Sequence, residues 1–204
     1  MRRCLLLLVL FALPLQAADV EFGIRHLATS FTGDGEFAGG ELDVVSARGF
    51  AATAEVFWTP HVSTQLAATF INPATILFPT NTPPNDVDLG TLGLDAYSLS
   101  ARWHFAPESR WSAFAGGGVA LVSIGNLEDR FGDDIELTYD NETAFLVEGG
   151  VRYRFLRNVY LDATVTYMPL EAEPNFVRNE TNVVLPPRLS LNPATFSVGA
   201  AWRW

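Results

Sequence analysis

The sequence predicts an all-β fold: an eight-stranded antiparallel up-and-down transmembrane β-barrel with short periplasmic turns and four longer external loops. Three observations predict it. Apolar residues alternate with polar or small ones in segment after segment, same-face aromatic pairs recur eight residues apart, and the connections alternate between short and long. In a barrel surrounded by lipid, successive side chains point alternately outward and inward, so its strands read apolar-out and polar-in.

At the amino end, Arg2 and Arg3 precede the apolar run Cys4 to Leu15, in which Pro14 falls just before the small pair Ala17-Ala18. This is the layout of a secretory signal peptide, so residues 1–17 are expected to be cleaved and 18–204 to form the barrel domain. The apolar run is well short of the ~20 residues with which a helix spans a bilayer. Cleavage would remove the only cysteine, leaving neither a disulfide nor a thiol nucleophile. It would also remove two of the 13 basic residues, leaving eleven against 23 acidic ones and a formal charge of −12. Such a chain lacks the basic stripe that nucleic acid requires, so no nucleic-acid partner is expected.

The strands follow in order. Val20 to Ala28 is the first, with Phe22 and Ile24 outward. The second presents Phe50, Ala52, Ala54, Val56 and Trp58, and the third Val62, Thr64, Leu66, Ala68 and Phe70. The fourth presents Tyr97, Leu99, Ala101, Trp103 and Phe105, and the fifth Trp111, Ala113, Ala115, Gly117, Val119 and Leu121. The sixth runs from Phe145 to Phe155, the seventh from Val159 to Tyr167, and the eighth from Phe196 to Trp204. In the seven strands after the first, Glu55, Arg102, His104, Glu148, Arg152, Arg154, Asp162 and Arg203 all fall on the opposite face. A lipid-facing Arg or Lys near the midplane costs about 2–4 kcal/mol, so a barrel in lipid requires this sorting.

The aromatic pairs decide which face is outside. Phe50 and Trp58, Tyr97 and Phe105, Phe145 and Tyr153, and Phe196 and Trp204 are each eight residues apart. Eight strand residues cover ~26 Å, or ~20 Å of height at a tilt of ~40°, so the pairs mark the two membrane interfaces. The connections at 59–61, 106–110 and 156–158 are short. Long polar stretches at about 30–44, 72–92, 125–142 and 169–190 alternate with them. The third long stretch carries Glu128, Asp129, Asp133, Asp134, Glu136, Asp140 and Glu142. Their spacing is not that of an EF-hand, and they read as a solvated loop, with no metal or cofactor expected.

Several runs resemble the outer-membrane protein W (OmpW) family. They are AEVFWTPHVSTQLAATF (Ala54 to Phe70), LSARWHFAPESRWSAFAGGGVAL (Leu99 to Leu121), GVRYRFLRNVYLDATVTYMPLEAE (Gly150 to Glu173) and the closing RLSLNPATFSVGAAWRW (Arg188 to Trp204). The chain departs from that pattern in ending on Trp204 instead of Phe and in having Ala194 after the Asn-Pro step. The resemblance implies a narrow barrel in the bacterial outer membrane that passes small hydrophobic compounds. The terminal aromatic strand likewise resembles the signal read by barrel-insertion machinery. Expected partners are therefore outer-membrane lipids, that machinery and small apolar ligands, with both termini in the periplasm.

An eight-stranded barrel is barely wide enough for its own side chains or one small ligand. Glu55, Arg102, Glu148, Arg152, Arg154, Asp162 and Arg203 are accordingly expected to pair within the lumen. The small residues of the fifth strand suggest a second feature. Gly116, Gly118 and Ala120, with Phe114, Val122 and the loop residues Ile76, Leu77 and Phe78, would leave an apolar path from outside. A plugged barrel that only presents loops is the alternative. An enzyme is not expected: His61 lies in a turn, His26 is near the first external loop, and His104 has only Glu108 and Ser109 nearby in sequence. A nucleophile and base need hydrogen-bond contact.

Overall fold

The computed structural model describes residues 19–32, 35–37, 40–79, 86–125, 128–129, 135–139, 141–172, 174–178 and 189–204. The expected signal segment, 1–17, lies outside them. Eight strands form the wall: β1 (Asp19–Phe31), β2 (Ala47–Phe57), β3 (Val62–Pro79), β4 (Asp86–Phe105), β5 (Trp111–Ile124), β6 (Glu142–Arg154), β7 (Val159–Tyr167) and β8 (Pro193–Arg203). Each pairs antiparallel with its sequence neighbour, except that the chain closes by pairing β1 with β8, from Glu21↔Arg203 to Phe31↔Pro193. Closure leaves no free edge around the waist of the barrel.

The period-two pattern forms these strands and decides their facing. Phe22, Ile24, Phe50, Tyr97, Trp103, Trp111, Phe145 and Trp202 are half or more exposed on the outer wall. Glu21, Arg25, Glu55, Arg102, Arg152 and Asp162 are buried in the lumen. This is the reverse of a soluble barrel, and a continuous exposed apolar belt of this kind needs lipid around it.

At one end the turns are tight. Trp58 N donates to Val62 O (2.9 Å), Ser109 N to Ala106 O (3.0 Å) and Phe155 N to Val159 O (3.0 Å). The other end differs from the expected loops. The stretch 72–92, expected as a loop, is mostly strand: β3 and β4 pair as far as Pro79↔Asp86, through register shifts at Ile71/Ala74 and Ile76/Leu77. The first shift spans Asn72-Pro73, where proline cannot supply a ladder donor, and pairing resumes at Ala74↔Leu92.

Short pairings continue this projecting layer. Gly35–Phe37 pairs with Gly40–Val44, which docks on β3, and Ile135–Tyr139 pairs with Pro174–Arg178. Between β6 and β7 the ladder is interrupted before it resumes at Tyr139↔Pro174. β7 stops at Tyr167, paired with Val147, two residues before Pro169. Among the described residues, Glu142–Leu146 of β6 therefore have a ladder partner on β5 but none on β7.

The outer belt makes a specific demand. Ala101 lies midway between Tyr97 and Phe105 and points outward. Ala101→Arg is expected to lower the stability of the bilayer-inserted barrel by about 2–4 kcal/mol, and Ala101→Leu by far less. Urea unfolding in lipid vesicles checks both.

Candidate functional site: a sealed charged floor under an apolar chamber

The half of the lumen nearest the short turns is filled by a connected set of charges. In its lower tier, Glu21 accepts from Arg203 (Nε, 3.1 Å) and pairs with Arg152 (Nη2, 2.9 Å). Arg152 also reaches Glu55 (3.0 Å), which His104 Nε2 approaches to 3.1 Å. In the upper tier, Arg25 forks onto both oxygens of Asp162 (2.9 and 3.2 Å), and Arg102 forks onto both oxygens of Glu148. Arg102 Nη1 and Gln65 Nε2 then join this tier to Glu55 (3.4 and 3.5 Å).

Four arginines face four carboxylates, and every one is buried at its side chain except Arg203, which is 21% exposed. Aromatic faces support the cations. Arg203 lies 3.7 Å from the Phe57 ring centroid and 4.6 Å from that of Tyr160, while Arg102 lies 4.5 Å from Phe114.

Each upper-tier fork spans two strands across a glycine. Arg102 and Glu148 both register with Gly116 on the intervening β5, and Arg25 and Asp162 both register with Gly199 on β8. Strands two apart are ~10 Å apart, a gap an arginine can bridge only by lying flat across the middle strand. A Cβ at Gly116 would meet Arg102 Cγ at 3.0 Å, and one at Gly199 would meet Arg25 Cγ at 2.5 Å. The neighbouring backbone is closer still, at Ala101 O (2.6 Å) and at Ile24 O, so only glycine fits under the crossing.

Above the floor lies a partly open cavity of about 90 Å³. Arg25, Gln65 and Glu148 form its base, and Leu27, Ile71, Ala120, Leu146 and Met168 line its walls together with Thr69, Ser98, Thr166, Thr195 and Ser197. Over it an apolar cluster including Leu92, Leu94, Val122, Leu170 and Leu191 fills the lumen toward the long hairpins.

The chain belongs to the outer membrane protein beta-barrel domain family. The family model matches residues 4–203, which places the protein in the bacterial outer membrane. Three solved barrels show the same fold. Outer membrane protein OprG from Pseudomonas aeruginosa matches with a TM-score of 0.74 at 11% identity, covering 92% of this chain and 96% of that one. Outer membrane protein AlkL, solved in lipid bilayers, matches with 0.59 at 14% identity, covering 92% and 89%. Outer membrane protein W from E. coli matches with 0.52 at 18% identity, covering 90% and 97%. No curated protein matches the chain.

Within this member of the family, six of the seven charges expected in the lumen meet in the floor. Arg154 does not: it is half-buried and donates to Glu108 O in the adjacent turn (2.7 Å). The expected path along β5 is not one path. Phe114 packs in the floor against His104, Ala120 lines the cavity, and Val122 belongs to the apolar cluster. Gly116 and Gly118 do not leave free space, because the β4 backbone crowds both; a Cβ at Gly116 would lie 2.6 Å from Ala101 O, and one at Gly118 2.6 Å from Ser100 Cα. Leu77 is half-buried on β3, while the side chains of Ile76 and Phe78 lie outside the described residues. So do the acidic side chains of the third long stretch other than Glu142.

Glu21, Arg25, Ser63 and Gln65 are the contributors that sequence reasoning missed. Their signal was available: once Phe22 and Ile24 point outward, Glu21 and Arg25 must point inward. His104 meets Ser63 Oγ at 2.8 Å, not Glu108 or Ser109. The same ring nitrogen faces both Ser63 and Glu55, and all three residues are sealed from solvent. A proton relay uses the two ring nitrogens on different partners, so this cluster is a clamp between β2, β3 and β4.

Removing one partner of a buried pair strands the other charge. Asp162→Asn is expected to destabilise the barrel by about 3–5 kcal/mol, whereas the double change Arg25→Met with Asp162→Leu should recover most of that loss. A double-mutant cycle by urea unfolding in vesicles measures the difference.

Proposed function

We propose that this barrel belongs to the OmpW group and carries small apolar molecules into the outer membrane without conducting ions. The observation that carries the reading is the stacking of the lumen: a cavity whose surface is mostly apolar lies above a floor in which four arginines and four carboxylates neutralise one another. The lumen favours an apolar guest, and the axial way out is closed. A guest therefore leaves through the side. The ladder between β6 and β7 is interrupted beside Glu142–Leu146, and Leu146 and Met168 already line the cavity there. The long hairpins face outward and the short turns and termini face the periplasm in this reading. Its support is the leader-like amino end and the aromatic carboxy-terminal strand.

The cavity is small. By the volume one water requires, about 90 Å³ holds on the order of six to eight heavy atoms, the size of a short alkane or a single aromatic ring. Uptake of a labelled compound of that size is expected to be faster in cells carrying the barrel, at equal folded barrel content. Ala120→Phe, which fills the cavity, should return uptake to that of cells lacking the protein, and planar bilayers should show no steady ion current. Unchanged uptake with a folded barrel would replace this reading by that of a closed barrel whose projecting hairpins present a surface.

A further inference from the structure

The turns at 106–110 and 155–158 adjoin on the outer wall. Arg154 N donates to Arg110 O (2.8 Å) and the Arg154 guanidinium to Glu108 O, so the two turns hold a fixed distance. Between them runs an open groove of about 420 Å³ lined by Arg110, Arg154, Phe155, Leu156 and Arg157. Its two sides differ in chemistry. Arg110 lies 5.3 Å from the ring of Tyr153, which packs on Trp111 at 4.7 Å, so this cation is steered along an aromatic surface. Phe155 and Leu156 are more than half exposed and supply an apolar shelf.

The groove sits at the lower aromatic girdle, where headgroups meet acyl chains. We infer that it holds the phosphate of an anionic phospholipid from the leaflet that contacts the short turns. Arg110 and Arg157 take the phosphate oxygens, while Phe155, Leu156 and Trp111 lie along the first methylenes of the acyl chains. Guanidinium groups match phosphate oxygens two at a time, which favours arginine at such a site. A zwitterionic headgroup would bring its ammonium against three arginines, so the anionic lipid is preferred. The strongly acidic balance of the whole chain does not oppose this, because most of its carboxylates lie at the opposite end or are neutralised in the floor. Three arginines, one of them (Arg110) laid along an aromatic ring, distinguish this groove from the other described short turn, Thr59-Pro60-His61, which carries no arginine.

The test is native mass spectrometry of the full barrel released from nanodiscs of equal phosphatidylglycerol and phosphatidylcholine. At about 1 kcal/mol per arginine, the wild type should retain phosphatidylglycerol at least about tenfold over phosphatidylcholine. Arg110→Gln with Arg157→Gln should fall to parity while keeping the gel shift of a folded barrel. Phe155→Ser with Leu156→Ser, which keeps the arginines, should also lose retention. Parity in the wild type would overturn the proposal, as would enrichment that survives loss of the arginines. Enrichment unchanged by loss of the shelf would overturn it too, by showing a bare phosphate site instead of a lipid site.

Discussion

Charges inside a narrow barrel that is itself surrounded by lipid have almost no water to solvate them, so each must find its counter-charge within the lumen. That constraint accounts for most of the interior. Arg25, Arg102, Arg152 and Arg203 cannot be moved, shortened or separated from Asp162, Glu148, Glu55 and Glu21 without leaving an ion stranded. Because the forks cross whole strands, they also limit which residues the strands between them can carry. At Gly116 and Gly199 a side chain would meet both the backbone of the neighbouring strand and the arginine that crosses it.

The rest of the lumen is arranged around this floor. Above it, small and apolar side chains can leave a cavity because the charges below already hold the barrel's cross-section. The aromatic faces of Phe57, Phe114 and Tyr160 flank the arginines of the floor and support their charge beside the carboxylates. A lumen built this way separates two tasks: mechanical closure at one end and accommodation of a guest in the middle.

The wall was legible from sequence because lipid imposes a rule on every strand at once. Alternation gave the inside and outside of Phe50, Ala52 and Ala54 as of Glu55, and the eight-residue aromatic pairs gave the height of the belt. The hairpin of β3 and β4 was not legible beyond Asn72, because Pro73 breaks the alternation, Ile76-Leu77-Phe78 shows no period of two, and the polar proline-rich run from Thr80 looks like a loop. The inward charges were legible one strand at a time, but their partners were not. Pairing depends on which strands lie two apart around a closed ring, information that no single segment contains. The glycines of β5 show the limit most clearly. Gly116 suggests empty space when read along its own strand, and proves to be the place where Arg102 crosses from the next.

The two forks are formed from very different lengths of chain. Arg102 and Glu148 are 46 residues apart, within three consecutive strands, so that pair can assemble in an open sheet. Arg25 and Asp162 are 137 residues apart and meet only across the seam where β8 joins β1. Until that seam closes, both must remain hydrated or pay the cost of entering the bilayer alone. The second fork is therefore a late, long-range contact that makes partly closed sheets costly in lipid and couples final insertion to completion of the ring. A barrel stalled before closure would be held at the water-exposed side of the membrane by these two ions.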